Sequence, residues 1–138
     1  MRKLLLAAAI TLLAGVVASC DKDNGEVVND KWIPIAEKDL RQTVHIGDVV
    51  TIKSNGMSTF LLSPNEVFYD SEIKRPSKGD YPVSARSHWL ECCQTDSATF
   101  SFRVFEPEPT DTVTYMYCRF QAPPGYVGYS VVSFHLVR

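Results

Sequence analysis

The feature that most constrains the fold is the recurrence, from Val27 onward, of short runs in which apolar and polar residues alternate. In 98–105, Phe100, Phe102 and Val104 alternate with polar or charged residues, and 129–137 has the same pattern. A period of two places the apolar side chains on one face of a β-strand. Clusters of Gly, Pro, Asn and Ser separate the runs, and no convincing helical period is present after Val27. The pattern predicts an all-β domain.

The number and spacing of these runs predict a β-sandwich of seven or eight strands over residues 31–138. Further strands are expected in 44–53, with a turn at Gly47-Asp48, in 81–93, which is either one long strand or two, and in 112–121. The chain is 45% hydrophobic, which is enough to fill a core and excludes a disordered chain. Two stacked sheets let each strand bury one face and expose the other.

The amino terminus has the pattern of an export signal. Arg2 and Lys3 precede an uncharged apolar stretch, 4–17, whose 14 residues fall short of the roughly 20 that a membrane-spanning helix needs. The sequence Val17-Ala18-Ser19-Cys20 that follows resembles the lipobox of bacterial lipoproteins. The resemblance implies that 1–19 is a cleaved signal peptide and that Cys20 carries several fatty acyl chains, which together anchor the protein to a membrane.

The segment after the cysteine is acidic and predicts where the anchor resides. Asp21-Lys22-Asp23-Asn24-Gly25-Glu26 resembles the surface-export signal of Bacteroidota-type lipoproteins, which implies an outer-membrane protein exposed on the cell surface. Asp21 beside the cysteine also resembles the inner-membrane retention signal of enteric bacteria, and a periplasm-facing domain is the alternative. Residues 20–30 are therefore interpreted as a lipidated acidic tether.

One strand resembles a motif of immunoglobulin domains. The spacing of Asp111, Tyr115 and Cys118 is similar to the Asp-x-x-x-Tyr-x-Cys motif of strand F, with one extra residue before the cysteine. The resemblance implies an immunoglobulin-like antiparallel sandwich. It covers one strand and its preceding loop, and no narrower family is recognised.

Three cysteines remain once Cys20 is assigned to lipid. An exported protein lies in an oxidising compartment, so a disulfide is expected. If 81–93 is a continuous strand, Cys93 shares the face of Trp89, and Cys118 lies on the apolar face of its own strand. Cys93–Cys118 is therefore the preferred disulfide, and Cys92–Cys118 is the alternative if a bulge shifts the phase.

Several functional classes are excluded by what the sequence lacks. A net charge of −2 without clustered basic residues argues against nucleic acid as a partner. The chain has no nucleophile elbow, zinc-protease motif or phosphate-binding loop, so no catalytic activity is predicted. On a strand, His88 and Cys92 would lie about 13 Å apart at roughly 3.3 Å per residue, too far to share one zinc ion. We expect neither metal nor cofactor.

The predicted loops indicate a binding function. In a sandwich of this kind, the connections 54–65 and 122–128 emerge at the same end. Both carry large side chains, which suit recognition of an extracellular protein or a glycan. The candidate ligand contacts are Met57, Phe60, Tyr126 and Tyr129.

Other interpretations of these loops remain open. Phe60 could instead close the end of the core. The protein could also be an inhibitor of secreted proteases that uses 122–128 as a wedge, or an accessory subunit of an envelope or fimbrial assembly that pairs through an edge strand.

Overall fold

The protein folds as two stacked β-sheets, described in a computed structural model for residues 30–77 and 79–138. The predicted signal peptide, the lipobox and the tether before Asp30 lie outside the described residues. The described strands are β1 (Asp30–Lys31), β2 (Arg41–Val44), β3 (Val49–Lys53), β4 (Thr59–Ser63), β5 (Val83–Ser87), β6 (Leu90–Gln94), β7 (Thr99–Val104), β8 (Tyr115–Gln121), β9 (Tyr126–Val127) and β10 (Tyr129–Leu136), with 3-10 helices at Glu37–Asp39 and Asp70–Glu72.

The strand order is that of an immunoglobulin-like sandwich, which confirms the predicted fold class. One sheet has the order β2-β10-β8-β4 and the other β3-β7-β6-β5. The sets β3-β7-β6 and β10-β8-β4 occupy the places of strands B-E-D and G-F-C in immunoglobulin domains. The expectation of a purely antiparallel sandwich needs correction, because β2 pairs with β10, and β1 with β9, in parallel. Both parallel partners come from the amino-terminal segment, which runs alongside the last strands.

The core lies between the two sheets and follows the predicted alternation. Phe100 and Phe102 of β7 and Phe120 of β8 are fully buried, as is Phe134 of β10. The ring of Phe100 meets that of Phe120 edge-on, with centroids 4.8 Å apart and an interplanar angle of 86°. Edge-to-face contacts of this kind stabilise aromatic pairs beyond simple burial.

The turn between β5 and β6 reverses the predicted phase of the cysteines. His88 and Trp89 form a two-residue connection, and His88 adopts a left-handed conformation with φ of 53°. As a result Trp89 and Leu90 are both buried, and Cys92 points into the core. Cys93 lies on the other face of β6 and is only half-buried.

The preferred Cys93–Cys118 disulfide is therefore wrong, because Cys118 is inside the core and Cys93 is not. Cys92, Cys93 and Cys118 are all free thiols in the structure. The segment 81–93 is two strands rather than one, and strand phase cannot be carried through a turn.

Candidate functional site

A cavity of about 370 Å³ opens at the end of the sandwich where the β3–β4 and β8–β9 connections meet. The β3–β4 connection is joined to the end of β8 by a hydrogen bond in which Ser58 Oγ donates to the carbonyl oxygen of Gln121 (2.7 Å). We name this space the loop-end cavity. Its lining residues are Met57, Ser58, Thr59, Arg75, Pro76, Gln121, Ala122, Pro123, Pro124 and Tyr126.

Two of the four predicted ligand contacts lie together in this cavity. Met57 comes from the β3–β4 connection and Tyr126 from β9, and both line the wall. They remain 48% and 40% exposed. Large side chains that stay this accessible inside a concavity are available to a ligand.

The other two predicted contacts lie elsewhere. Phe60 is fully buried in β4, where its ring packs edge-on against Phe100 at 5.8 Å. Its assignment as a ligand contact is therefore wrong, and it belongs to the core as the alternative interpretation expected. Tyr129 is 59% exposed, but it lies at the start of β10 and stacks with the Arg119 guanidinium, 4.4 Å from its ring centroid. It is not part of the cavity wall.

Trp32, which the sequence analysis did not single out, holds the two connections in place. Its backbone N–H donates to the Val127 carbonyl (2.9 Å), and its Nε1–H donates to the Asn55 carbonyl (2.6 Å). Its ring lies 4.7 Å from that of Tyr126. One side chain therefore contacts both loops, and it does so through long-range contacts that leave no local pattern in the sequence.

Asn55, in the β3–β4 connection, forms two further hydrogen bonds to the amino-terminal segment. Its backbone N–H donates to the Pro34 carbonyl (2.7 Å) and its side-chain Nδ2 donates to the Ile33 carbonyl (2.9 Å). The amino-terminal segment 30–35 is thus hydrogen-bonded to both loops. Loops held in this way present their side chains at a fixed spacing, which lowers the entropy lost on binding.

Two polar side chains, Arg75 and Gln121, offer the cavity a hydrogen-bond donor and a hydrogen-bond acceptor. Arg75 donates from Nη1 to the Asp70 carbonyl (2.9 Å), which orients its guanidinium at the wall. Gln121 Oε1 is buried and has no hydrogen-bond partner among the described residues. A buried acceptor without a partner usually indicates a place where water or a ligand supplies the donor.

At the opposite end of the sandwich, hydrogen bonds join the β5–β6 turn to residues 111–113. His88 Nδ1 lies 2.8 Å from Asp111 Oδ2, and the Trp89 Nε1–H donates to the Val113 carbonyl (2.7 Å). The Val113 N–H donates to Asp111 (2.9 Å), and this bond together with the His88 contact holds the pKa of the Asp111 carboxyl below its usual range. These contacts join the β5–β6 turn to the segment before β8, so the His–Asp pair has a structural explanation.

Comparison with known proteins does not assign the chain to a family. No model of a known protein family matches it, and no curated protein or solved structure matches it. Among the described residues, no helix has the length and apolar character needed to cross a membrane. The described part of the chain also places no group of three or more His, Cys, Asp or Glu side chains where they could share a metal ion.

Proposed function

We propose that the protein is a non-catalytic binding module, anchored by lipid at Cys20, that captures an extended protein segment in the loop-end cavity. The observation that carries this proposal is the position of Met57 and Tyr126. They come from separate connections, remain half exposed, and meet in one cavity whose two sides are joined by Trp32.

The lining of the cavity favours a protein ligand over a glycan. Apart from its polar groups, the wall consists of methionine, alanine, tyrosine and three prolines. Methionine adapts to side chains of varied shape, and tyrosine offers a large surface with little entropy to lose. A glycan would need many fixed hydrogen-bonding groups, whereas this wall offers mainly an apolar surface with the Arg75 guanidinium beside it. An apolar ligand side chain next to a carboxylate fits that combination.

The proposed anchor restricts where such a ligand can come from. Asp30 lies ten positions after Cys20, and a chain of ten residue steps spans at most about 36 Å. The chain enters the sandwich at β1, which pairs with β9 at the loop end. An anchor at Cys20 would therefore hold the start of β1, at the loop end, within about 36 Å of the membrane. This position favours an extended segment of a neighbouring envelope protein.

The acidic residues after Cys20 support the outer membrane and the cell surface as the site of this anchor. Labelling intact cells with a membrane-impermeant amine reagent checks this, since lysines such as Lys38 and Lys53 lie on the described domain. Labelling before lysis is expected for a surface domain. Labelling only after the outer membrane is permeabilised would place the domain in the periplasm.

The binding proposal is tested with a displayed library of random peptides and, in parallel, a glycan array. We expect peptides with an apolar residue next to an acidic one to be enriched, and Tyr126→Ala to weaken the selected peptide at least tenfold. Tyr129→Ala is the matched control, because Tyr129 is an exposed tyrosine outside the cavity. Equal losses in both variants, or binding on the glycan array alone, would contradict the proposal.

Met57→Ala provides an independent check from the other side of the cavity. Because the side chain is half exposed, its removal should leave the melting temperature nearly unchanged while it weakens the peptide several-fold. Isothermal titration and thermal unfolding of the same sample separate the two effects. A change in stability without a change in affinity would place Met57 among the structural residues only.

A further inference from the structure

Two thiols face each other across the centre of the sandwich. Cys92 lies on β6 of one sheet and Cys118 on β8 of the other, and both are fully buried. Burial raises the pKa of the Cys92 thiol well above its usual value, and the neighbouring Cys118 thiol adds to that rise.

The packing of the surrounding rings places the two cysteines at the same level of the core. Phe102 pairs directly with Cys92 in the β6–β7 ladder. Its ring lies 6.2 Å from Phe120, the next inward residue after Cys118 on β8, and 4.6 Å from Phe134 on the adjacent strand β10. The neighbour of Cys92 therefore packs against residues on both sides of Cys118.

We propose that Cys92 and Cys118 form an inter-sheet disulfide in the mature protein, and that Cys93 remains a free thiol. The bridge would join β8 to β6, whereas the disulfide of antibody domains joins strand F to strand B, which β3 represents here. It would lie in the core between the two facing strands that carry these buried thiols.

The oxidation requires a disulfide-containing partner, such as oxidised glutathione or a thiol oxidase in its disulfide form. One cysteine thiolate attacks the partner's disulfide and releases one partner thiol. The second cysteine thiolate then displaces the other partner sulfur, so two protons and two electrons pass to the partner as its disulfide becomes two thiols. Because Cys92 and Cys118 are inaccessible in the folded sandwich, this exchange takes place before the sheets close.

Peptide mapping of the full mature chain, purified without reductant, tests the proposal. Cleavage after arginine gives the peptide 87–103 with Cys92 and Cys93, and the peptide 104–119 with Cys118. We expect these two peptides to be cross-linked and lighter than their sum by two hydrogen atoms. The cross-link should persist in Cys93→Ser and disappear in Cys92→Ser.

A second measurement does not depend on where the protein resides in the cell. The purified chain is unfolded and refolded in oxidised and reduced glutathione, and its thermal midpoint is recorded with and without a strong reductant. We expect reduction to lower the midpoint by about 10 °C or more in wild type and Cys93→Ser, and to have no effect in Cys92→Ser. Failure of the cross-link to form on refolding, or its retention in Cys92→Ser, would overturn the assignment. Failure of export alone would leave this result unchanged.

Discussion

Gly128→Ala tests whether Trp32 holds the loop end of the sandwich together. Gly128 has a φ of 133°, a conformation that residues with a side chain rarely adopt. A Cβ added there would overlap the backbone carbonyl oxygen of Trp32, an atom that cannot move unless the segment 30–35 moves with it. The substitution should therefore displace Trp32 from both loops.

The expected magnitude follows from the contacts that are lost. Backbone strain at a positive φ costs on the order of 1–2 kcal/mol. Displacement of Trp32 removes its two hydrogen bonds, to Val127 and to Asn55, at about 1 kcal/mol each. The free energy of unfolding should thus fall by about 3–4 kcal/mol. Gly125→Ala is the matched control, because Gly125 also has a positive φ, of 90°, but nothing lies within 4 Å of an added Cβ.

Equilibrium unfolding in guanidinium chloride, followed by circular dichroism, measures both variants. Gly125→Ala should lose only the strain, so the two free energies should differ by about 2 kcal/mol. Tryptophan emission should shift to the red in folded Gly128→Ala, because Trp32 becomes more exposed to water. Equal losses in the two variants with unchanged emission would refute the role assigned to Trp32.

Further substitutions test the hydrogen bonds at the opposite end of the sandwich and the placement of Phe60 in the core and Met57 in the cavity. Asp111→Asn should be less stable than wild type at pH 7. The Val113 N–H and the histidine beside it lower the carboxyl pKa, so this advantage of wild type is complete above about pH 4 and declines as pH falls toward the lowered pKa; urea unfolding should therefore give a smaller gap at pH 3 than at pH 7, and gaps of equal size would contradict this role of the carboxylate. Phe60→Ala should lose about 3–5 kcal/mol in chemical unfolding and Met57→Ala less than about 1 kcal/mol, whereas similar losses would contradict their assignment to core and cavity. Trp89→Phe leaves the Val113 carbonyl without its donor and should cost about 2 kcal/mol, and an unchanged midpoint would show that this hydrogen bond is not important for stability.

Strands that bury one face and expose the other to solvent were predictable from the sequence. In β7 and β10 the inward residues alternate with polar ones, and the observed bounds, Thr99–Val104 and Tyr129–Leu136, lie within one or two residues of the predicted ones. In contrast, β4 lies within 54–65, which the sequence predicts to be a connection, and it contains the consecutive apolar residues Phe60, Leu61 and Leu62. All three are buried, so the strand has no alternation to detect.

Features that depend on one unusual residue or on distant contacts were not predictable. The sequence left open whether 81–93 is one strand or two, but it did not locate the break, because the β5–β6 turn contains His88 in a conformation that usually indicates glycine. That break decides which cysteine is buried. The placement of Met57 and Tyr126 at one end followed from the expected topology, but the role of Trp32 rests on contacts with residues more than 20 positions away.

The parallel pairing of β2 with β10 has a mechanical consequence. The described chain begins at the loop end, and β2 and β10 both run from there toward the opposite end, joined by four registered residue pairs. Tension applied between Asp30 and Arg138 would pull these two strands lengthwise in opposite directions. Their hydrogen bonds would then be loaded in shear and share the force, whereas a hairpin pulled from its open end unzips one bond at a time. The β2–β10 pair should therefore resist tension between these two residues better than a hairpin pulled from its open end.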